Sequence, residues 1–194
     1  MLLAAENHLL NELEQRVKAL QESPQRFKQA IALIGPGDVD LRACTAAYLI
    51  AHCLACCGLA IVCGGRGGVM EAASRGAYEA GGIVIGLLPE NDDRAANAYL
   101  TVAIPTGMGE MRNALIARSS LCLIAVGGGL GTLSEMALGL KLGKPVFCLY
   151  PEFELPGAVC VADVDEVVTQ VLMWLLSQAY PPAHLEIPAG LLAC

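Results

Sequence analysis

Two glycine-rich stretches of this chain each carry a glutamate at the same distance from their glycines. The first glycine loop, residues 62–71, reads V-C-G-G-R-G-G-V-M-E, and the second glycine loop, residues 126–135, reads V-G-G-G-L-G-T-L-S-E. A shift of 64 residues superimposes them. Each loop follows an apolar run and opens a helical pattern, where glycines let the backbone approach a ligand and free helix amides attract an anion. The pattern predicts a phosphate-bearing small molecule held between the two loops.

The second glycine loop carries the groups best suited to hold an anion. Its consecutive amides and the Thr132 hydroxyl lie at a predicted helix start, which favours a phosphate or a similar group. Glu135 lies four residues past Gly131, where it could bond a ribose or pterin donor group or act as a general base. Two alternatives remain open: a tight turn that needs glycine only for packing, and a glutamate that only complements the helix dipole. Glu71 carries the same two interpretations.

Three arginines, Arg66, Arg112 and Arg118, lie near the glycine loops in the sequence. The forked guanidinium of Arg112 suits a phosphate or an adjacent carboxylate, although a solvated surface arginine is the alternative. Arg66 lies inside the first glycine loop, where an ordinary turn needs no guanidinium, and is predicted to contact a ligand or an interface. The rest of the predicted ligand-binding set consists of Gly35, Gly64, Gly65, Gly67, Gly68, Glu71, Asn113, Gly128, Gly129, Gly131 and Thr132.

Apolar runs that alternate with helical patterns predict a doubly wound α/β fold. We expect a Rossmann-like, three-layer α/β/α domain with a mostly parallel sheet of six to seven strands at residues 30–180. An N-terminal helical extension occupies residues 1–29, and a surface or intersubunit tail occupies residues 181–194. The predicted strands are 31–35, 59–63, 83–88, 99–104, 121–126, 146–150 and 158–162. The predicted helices are 5–22, 41–57, 68–80, 110–119, one from the second glycine loop to 142, and 164–178.

Composition narrows the functional classes. The 194 residues are 55% hydrophobic but only 5% aromatic, which predicts an aliphatic core. A net charge of −7 disfavours nucleic-acid binding, including single-stranded DNA, because that needs a clustered basic surface.

No leader and no membrane span are expected. Nine cysteines lie mostly in apolar runs, so a reduced, cytoplasmic protein is predicted. No metal site is predicted, because the His52-Cys53-x-x-Cys56-Cys57 stretch belongs to an apolar helix.

Residues 31–150 resemble the Lonely-guy-type Rossmann superfamily. Its signature is Pro-Gly-Gly-x-Gly-Thr-x-x-Glu, preceded by a helix with an Arg-Lys pair. Residues 128–135 match the signature, Gly127 takes the proline position, and Arg112 matches the arginine, while Asn113 replaces the lysine. In the phosphoribohydrolase members this resemblance implies phosphate binding by Gly129, Gly131 and Thr132. It also implies action of Arg112 and Glu135 on the ribose and the leaving base.

The first glycine loop is similar to that of the molybdenum cofactor carrier branch of this superfamily. Asn113 also fits that branch better than the hydrolase branch. The resemblance therefore implies binding of a phosphorylated pterin or nucleotide, with molybdenum cofactor or a nucleoside monophosphate as the possible ligand and no further cofactor required. We expect a homodimer or homotetramer. The alternative is a nucleoside 5′-monophosphate phosphoribohydrolase, in which Glu135 and Arg112 would be catalytic.

Overall fold

The computed structural model describes residues 2–38 and 40–180, without side-chain detail for residues 2–7. Within this part of the chain, seven strands form one sheet in the order β4-β3-β2-β1-β5-β6-β7, and every pairing is parallel. The predicted Rossmann-like α/β fold is confirmed, and the sheet has seven strands where six to seven were expected. The strands are β1 (Ala30–Ile34), β2 (Ile61–Cys63), β3 (Val84–Leu88), β4 (Val102–Pro105), β5 (Ser120–Val126), β6 (Val146–Leu149) and β7 (Val159–Val161).

Helices cover both faces of the sheet and make the three layers. The helices are α1 (Leu2–Gln21), α2 (Leu41–Cys56), α3 (Val69–Glu79), α4 (Asn113–Ser119), α5 (Leu130–Lys141) and α6 (Val164–Ala179), with a 3-10 turn at Gly109–Arg112. Side chains of α1, α2, α3 and α6 share one buried cluster, and those of α4 and α5 share the other. Because strand side chains alternate in direction, Ile31 and Leu33 join the first cluster while Ala32 and Ile34 join the second.

Helix α1 is part of the packed structure. Leu13, Val17 and Leu20 of α1 are buried in the first cluster, and α1 contacts α6. The predicted tail, residues 181–194, lies outside the described residues. Among the helices that the structure describes, none combines the length and the apolar character needed to cross a bilayer.

Several predicted boundaries are wrong, and two of them lie between β3 and β5. Strand β4 begins at Val102 rather than at residue 99, because the Asn97 side chain accepts a hydrogen bond from the Tyr99 amide at 3.1 Å and so forms a local turn. The helix predicted over 110–119 is divided: Gly109–Arg112 is a 3-10 turn, and the α-helix begins at Asn113. Arg112 is therefore the last residue of the 3-10 turn and directly precedes α4.

The sheet order places a topological switch point between β1 and β5. From β1 the chain adds β2, β3 and β4 on one side, and it then returns to add β5, β6 and β7 on the other. In open parallel sheets, ligands bind outside the carboxyl ends of the strands at such a point. Both glycine loops lie at these carboxyl ends, since one follows β2 and the other follows β5.

Helices α2 and α3 are in close contact at Gly76. A Cβ atom there would collide with the backbone carbonyl group of Tyr48, whose Cα lies 3.0 Å from the Cβ position. Because backbone cannot move aside as a flexible side chain can, we expect Gly76→Ala to lower the free energy of unfolding by about 1–3 kcal/mol. Urea unfolding measures this change. Gly131→Ala is the matched control, because no atom lies within 4 Å of its Cβ position. A wild-type urea midpoint for Gly76→Ala would contradict this close helix contact.

Candidate functional site

A cavity of about 430 Å³ opens at the switch point. Three loops form its walls: the loop that follows β1 and the two glycine loops that follow β2 and β5. The 3-10 turn and the start of α4 close a further side. The lining residues are Ile34, Gly35, Pro36, Gly37, Gly64, Arg66, Met70, Glu110, Arg112, Asn113, Gly129, Gly131, Thr132 and Glu135.

The second glycine loop keeps space open at the start of α5. The helix begins at Leu130, so the amides of its first turn have no acceptor within the helix. At Gly131 nothing lies within 4 Å of a Cβ position, and at Gly129 the nearest atom is a Pro36 carbon at 3.9 Å. Neither residue has a positive φ that would demand glycine. Packing and backbone conformation therefore do not require glycine at these two positions, whereas a ligand against the amides would.

Gly127, at the proline position of the superfamily signature, has a conformation that proline cannot adopt. Its φ is +73°, and its amide donates a hydrogen bond to the Leu149 carbonyl at 2.9 Å. Proline has a fixed negative φ and no amide hydrogen. The loop thus enters α5 by a backbone path that the proline-containing signature does not allow.

Only part of the first glycine loop faces the cavity. Gly64 lines it and lies against the guanidinium of Arg112, so a side chain at Gly64 would displace that arginine. Gly68 has a φ of +67° and packs on the backbone carbonyls of Pro36 and Gly37. Gly65 packs against Leu88 and Gly86 and does not line the cavity. Gly67 of the same loop and Gly128 of the second glycine loop also lie outside the cavity lining.

The two glutamates that match in sequence occupy different environments. Glu71 lies in the first turn of α3 and is exposed, whereas Glu135 lies beyond the first turn of α5 and is only 6% exposed. Helix α5 also begins earlier relative to its glycines than α3 does. Glu135 lines the cavity and Glu71 does not.

Arg112 is a buried cation with free hydrogen-bond donors. It is 6% exposed, and its Nη1 lies 3.7 Å from Oε1 of Glu135, which is an ion pair too long for a hydrogen bond. Its Nε and Nη1 atoms have no hydrogen-bond partner. An unsatisfied buried donor is costly, so these atoms mark a position where an anionic group would be stabilised.

Glu135 is poised to exchange a proton near neutral pH. Burial raises its pKa to about 7, Arg112 offsets part of that rise, and the Glu110 carboxylate adds to it. The Arg112 guanidinium, 3.7 Å away, lowers the pKa of Glu135, but desolvation of the buried carboxylate has the larger effect. A carboxyl group with such a pKa can donate a hydrogen bond when protonated and act as a general base when ionised.

Hydrogen bonds hold the other polar residues of the site in place. The Asn113 side-chain amide donates to Ser134 Oγ at 2.9 Å, and Ser134 Oγ donates to the Gly131 carbonyl at 2.7 Å, which fixes α4 against the first turn of α5. Arg66 forms an ion pair with Glu90 at 2.5 Å, and the Asn97 side-chain amide donates to the Arg66 carbonyl at 3.1 Å.

Arg118, the third arginine near the glycine loops in the sequence, is exposed on α4 and does not line the cavity.

Five lining residues were not predicted: Ile34, Pro36, Gly37, Met70 and Glu110. Pro36 and Gly37 follow the end of β1 closely. Because ligands bind beyond the carboxyl ends of strands at a switch point, their position after β1 could have predicted them as lining residues. Glu110 precedes Arg112 by two residues, and the 3-10 turn brings it to the cavity. Met70 has no comparable signal, since methionine in a helix usually packs in the core.

The raised pKa of Glu135 predicts a pH dependence of stability. An ordinary glutamate has a pKa of 4.5, and folding raises that of Glu135 to about 7, so the folded state binds the proton more tightly. The contribution of protonated Glu135 to the free energy of unfolding is therefore fully present below pH 4.5 and is lost as the pH rises through 7. Urea midpoints measured from pH 4 to 8 should fall for the wild type and fall less for Glu135→Gln. Parallel curves would show that Glu135 has an ordinary pKa.

The described cysteines and acidic residues form no metal centre. Eight cysteines are free thiols, and no group of three or more histidine, cysteine, aspartate or glutamate side chains is arranged to hold a metal ion in this part of the chain. His52, from the cysteine-rich stretch, instead lies with its Nδ1 3.2 Å from the Gly76 carbonyl.

Two curated proteins are similar in sequence. An uncharacterized protein from Archaeoglobus fulgidus is 41% identical over 138 residues, which are 71% of this chain and 91% of that protein. The cytokinin riboside 5′-monophosphate phosphoribohydrolase LOG5 from Arabidopsis thaliana is 40% identical over 76 residues, or 38% of this chain and 33% of LOG5. The match to LOG5 thus spans about a third of that enzyme.

Solved structures of molybdenum cofactor proteins share the fold over most of the chain. The molybdenum cofactor binding protein from Rippkaea orientalis superimposes with a TM-score of 0.73 at 34% identity, covering 77% of this chain and 98% of that one. The molybdenum cofactor carrier protein from Chlamydomonas reinhardtii superimposes with a TM-score of 0.69 at 34% identity. The match covers 77% of this chain and 99% of the carrier protein. A family model matches residues 28–173, which include all seven strands. The chain therefore belongs to the SLOG cluster4 family.

Proposed function

We propose that this protein binds a phosphorylated pterin or nucleotide and acts as a carrier of molybdenum cofactor. The observation that carries the proposal is the open start of α5 facing a buried, partly unpaired arginine. Gly129 and Gly131 leave room against the helix amides, and Arg112 offers free Nε and Nη1 donors across the same cavity. The likeness to the molybdenum cofactor binding and carrier proteins supports the choice of ligand.

Size and charge of the cavity agree with this ligand class. A volume of about 430 Å³ falls in the range of small-molecule sites. The anion would be held by helix amides and arginine within a molecule of net charge −7, so attraction is local rather than spread over the surface. Partial protonation of Glu135 near pH 7 reduces the repulsion that a carboxylate would exert on a phosphate.

In the proposed complex each residue has a definite task. The amides at the start of α5 and the Thr132 hydroxyl donate to phosphate oxygens, and Arg112 neutralises the anion. Asn113 keeps the first turn of α5 in position through Ser134. Molybdenum is part of the carried cofactor in this proposal, and the described residues contain no group of three or more histidine, cysteine, aspartate or glutamate side chains that could hold a metal ion.

A binding assay tests the proposal. Ligand-free protein is dialysed against molybdenum cofactor, and bound molybdenum and pterin are measured against concentration. We expect saturable uptake with one pterin per chain, competed by inorganic phosphate at high concentration. Absence of saturable uptake would reject the carrier function.

A second candidate function is hydrolysis of the N-glycosidic bond of a nucleoside 5′-monophosphate. It is favoured by Glu135, whose pKa of about 7 suits proton transfer, beside Arg112 in one cavity, and by the partial likeness to LOG5. In this reaction water adds to the ribose carbon, and the base leaves with a proton. Ionised Glu135 would accept the proton of the attacking water, while the α5 amides hold the 5′-phosphate.

Nucleotide turnover distinguishes the two candidates. Wild type and Glu135→Gln are incubated with a panel of nucleoside 5′-monophosphates, and free base is measured by chromatography. Release of base by the wild type that is lost in Glu135→Gln, with nucleotide binding retained, would establish the hydrolase. No release by either protein, together with cofactor uptake, would leave carriage as the function.

A further inference from the structure

We propose that Cys148 and Cys160 form a reversible dithiol–disulfide site at the edge of the sheet, oxidised by a low-molecular-weight disulfide. The site is separate from the ligand cavity and independent of the proposed function. It rests on the register of two strands, the distance between two sulfur atoms and the unequal exposure of the two thiols.

Strand pairing places the two cysteines opposite each other. Cys148 of β6 and Cys160 of β7 are Cα partners in the parallel ladder. Adjacent strands lie about 4.8 Å apart, which falls within the Cα separation that a disulfide requires. Because paired residues of a parallel ladder point to the same face, both side chains also have the same direction.

The side chains converge as well as the backbones. Their Sγ atoms are 2.9 Å apart, and both are free thiols. Cys148 Sγ also lies 3.6 Å from the carbonyl oxygen of Val159 on the neighbouring strand β7. Formation of a bond would therefore need no change of strand register.

Exposure gives the two thiols different roles. Cys160 is exposed on the outermost strand, where a small disulfide can reach it, whereas Cys148 is 1% exposed. Burial, together with the contact with Cys160, raises the pKa of Cys148 to about 12. Since the thiolate is the attacking form, Cys160 reacts first and Cys148 resolves the product.

The exchange takes place in two balanced steps. The Cys160 thiolate attacks one sulfur of the small disulfide, breaks its S–S bond and releases one thiolate, which leaves a mixed disulfide. Cys148 then loses its proton to solvent and attacks Cys160 Sγ, expelling the second thiolate. Two protein thiols are oxidised to one disulfide, and the small disulfide is reduced to two thiols.

The disulfide would join both ends of the segment 149–159. Glu152 in this segment packs against the second glycine loop, where its backbone nitrogen lies 3.2 Å from the Cβ position of Gly128. Oxidation would thus restrain a segment that supports the loop at the switch point.

Peptide mapping of the native full-length protein tests the site. The protein is incubated with oxidised glutathione, quenched with acid, alkylated and digested with a protease that cleaves after glutamate. Cleavage yields residues 136–152 with Cys148 and residues 155–166 with Cys160 as separate peptides. We expect these two peptides to be joined in the oxidised sample and separated by dithiothreitol.

Variants assign the order of reaction. Cys148→Ala should retain one glutathione on Cys160 as a stable mixed disulfide, and Cys160→Ser should leave Cys148 unmodified. Exposed Cys56 serves as an internal control for reaction of an accessible thiol. The proposal is overturned if Cys56 reacts while Cys160 does not, or if wild-type Cys160 keeps its glutathione while Cys148 remains free. The wild-type map decides the matter even if a variant fails to fold.

Discussion

Replacing Arg112 with methionine is expected to weaken binding of a phosphorylated ligand about 100-fold, because two charge-assisted hydrogen bonds worth about 3 kcal/mol together are lost. Methionine fills much of the buried space without the charge. The free Nε and Nη1 donors of Arg112 disappear, and so does the cation that offsets the rise in the pKa of Glu135. Equilibrium dialysis with molybdenum cofactor and with a nucleoside 5′-monophosphate measures the change.

Arg118→Met is the matched control for this experiment. Arg118 lies on α4 close to Arg112 in sequence, yet it is exposed and does not line the cavity. Its loss removes the same formal charge from the protein and should leave ligand affinity within about twofold, as expected for a screened surface charge. Equal weakening by both substitutions would show that overall charge, not the buried guanidinium, governs binding.

Filling the start of α5 with methyl groups is expected to abolish binding without harming the fold. The double substitution Gly129→Ala with Gly131→Ala places two Cβ atoms where nothing lies closer than 3.9 Å. A phosphate would then be held away from the helix amides, and we expect a loss of affinity of about 100-fold or more from the missing charge-assisted bonds.

Stability provides the control for the glycine experiment. Gly129 has an extended φ of 171°, which any residue adopts, and Gly131 lies within α5, where alanine favours the helix by up to about 1 kcal/mol. The urea midpoint of the double variant should therefore equal or exceed that of the wild type. Wild-type affinity in this variant would reject the second glycine loop as the anion site, and a lowered midpoint would show that the glycines serve packing.

The sheet could be predicted from the sequence because each strand is a local apolar run. Seven runs, separated by helical patterns and turn residues, predicted all seven strands. The start of β4 was wrong because a side-chain hydrogen bond intervenes at Tyr99, whose amide donates to Asn97. The residue types of a segment indicate little about which side-chain hydrogen bonds to the backbone will form.

The candidate site was predictable in part. Arg112 and Glu135 were identified by residue type and spacing, and the fold brings them to one cavity with Gly64, Gly129 and Gly131. The sequence repeat suggested two equivalent loops, but the helices begin at different places relative to the glycines. Glu71 is exposed while Glu135 is buried, a difference that an alignment of the two loops does not indicate.

The sequence by itself determined the order of strands along the chain and the aliphatic core, because these depend on local patterns. Only the tertiary structure decided which glycines stay open and which pack, and that Pro36, Gly37 and Glu110 share the cavity. The reason is the switch point, which gathers strand ends that are far apart in sequence. Burial at that point also sets the proton affinity of Glu135, since desolvation depends on every neighbour at once.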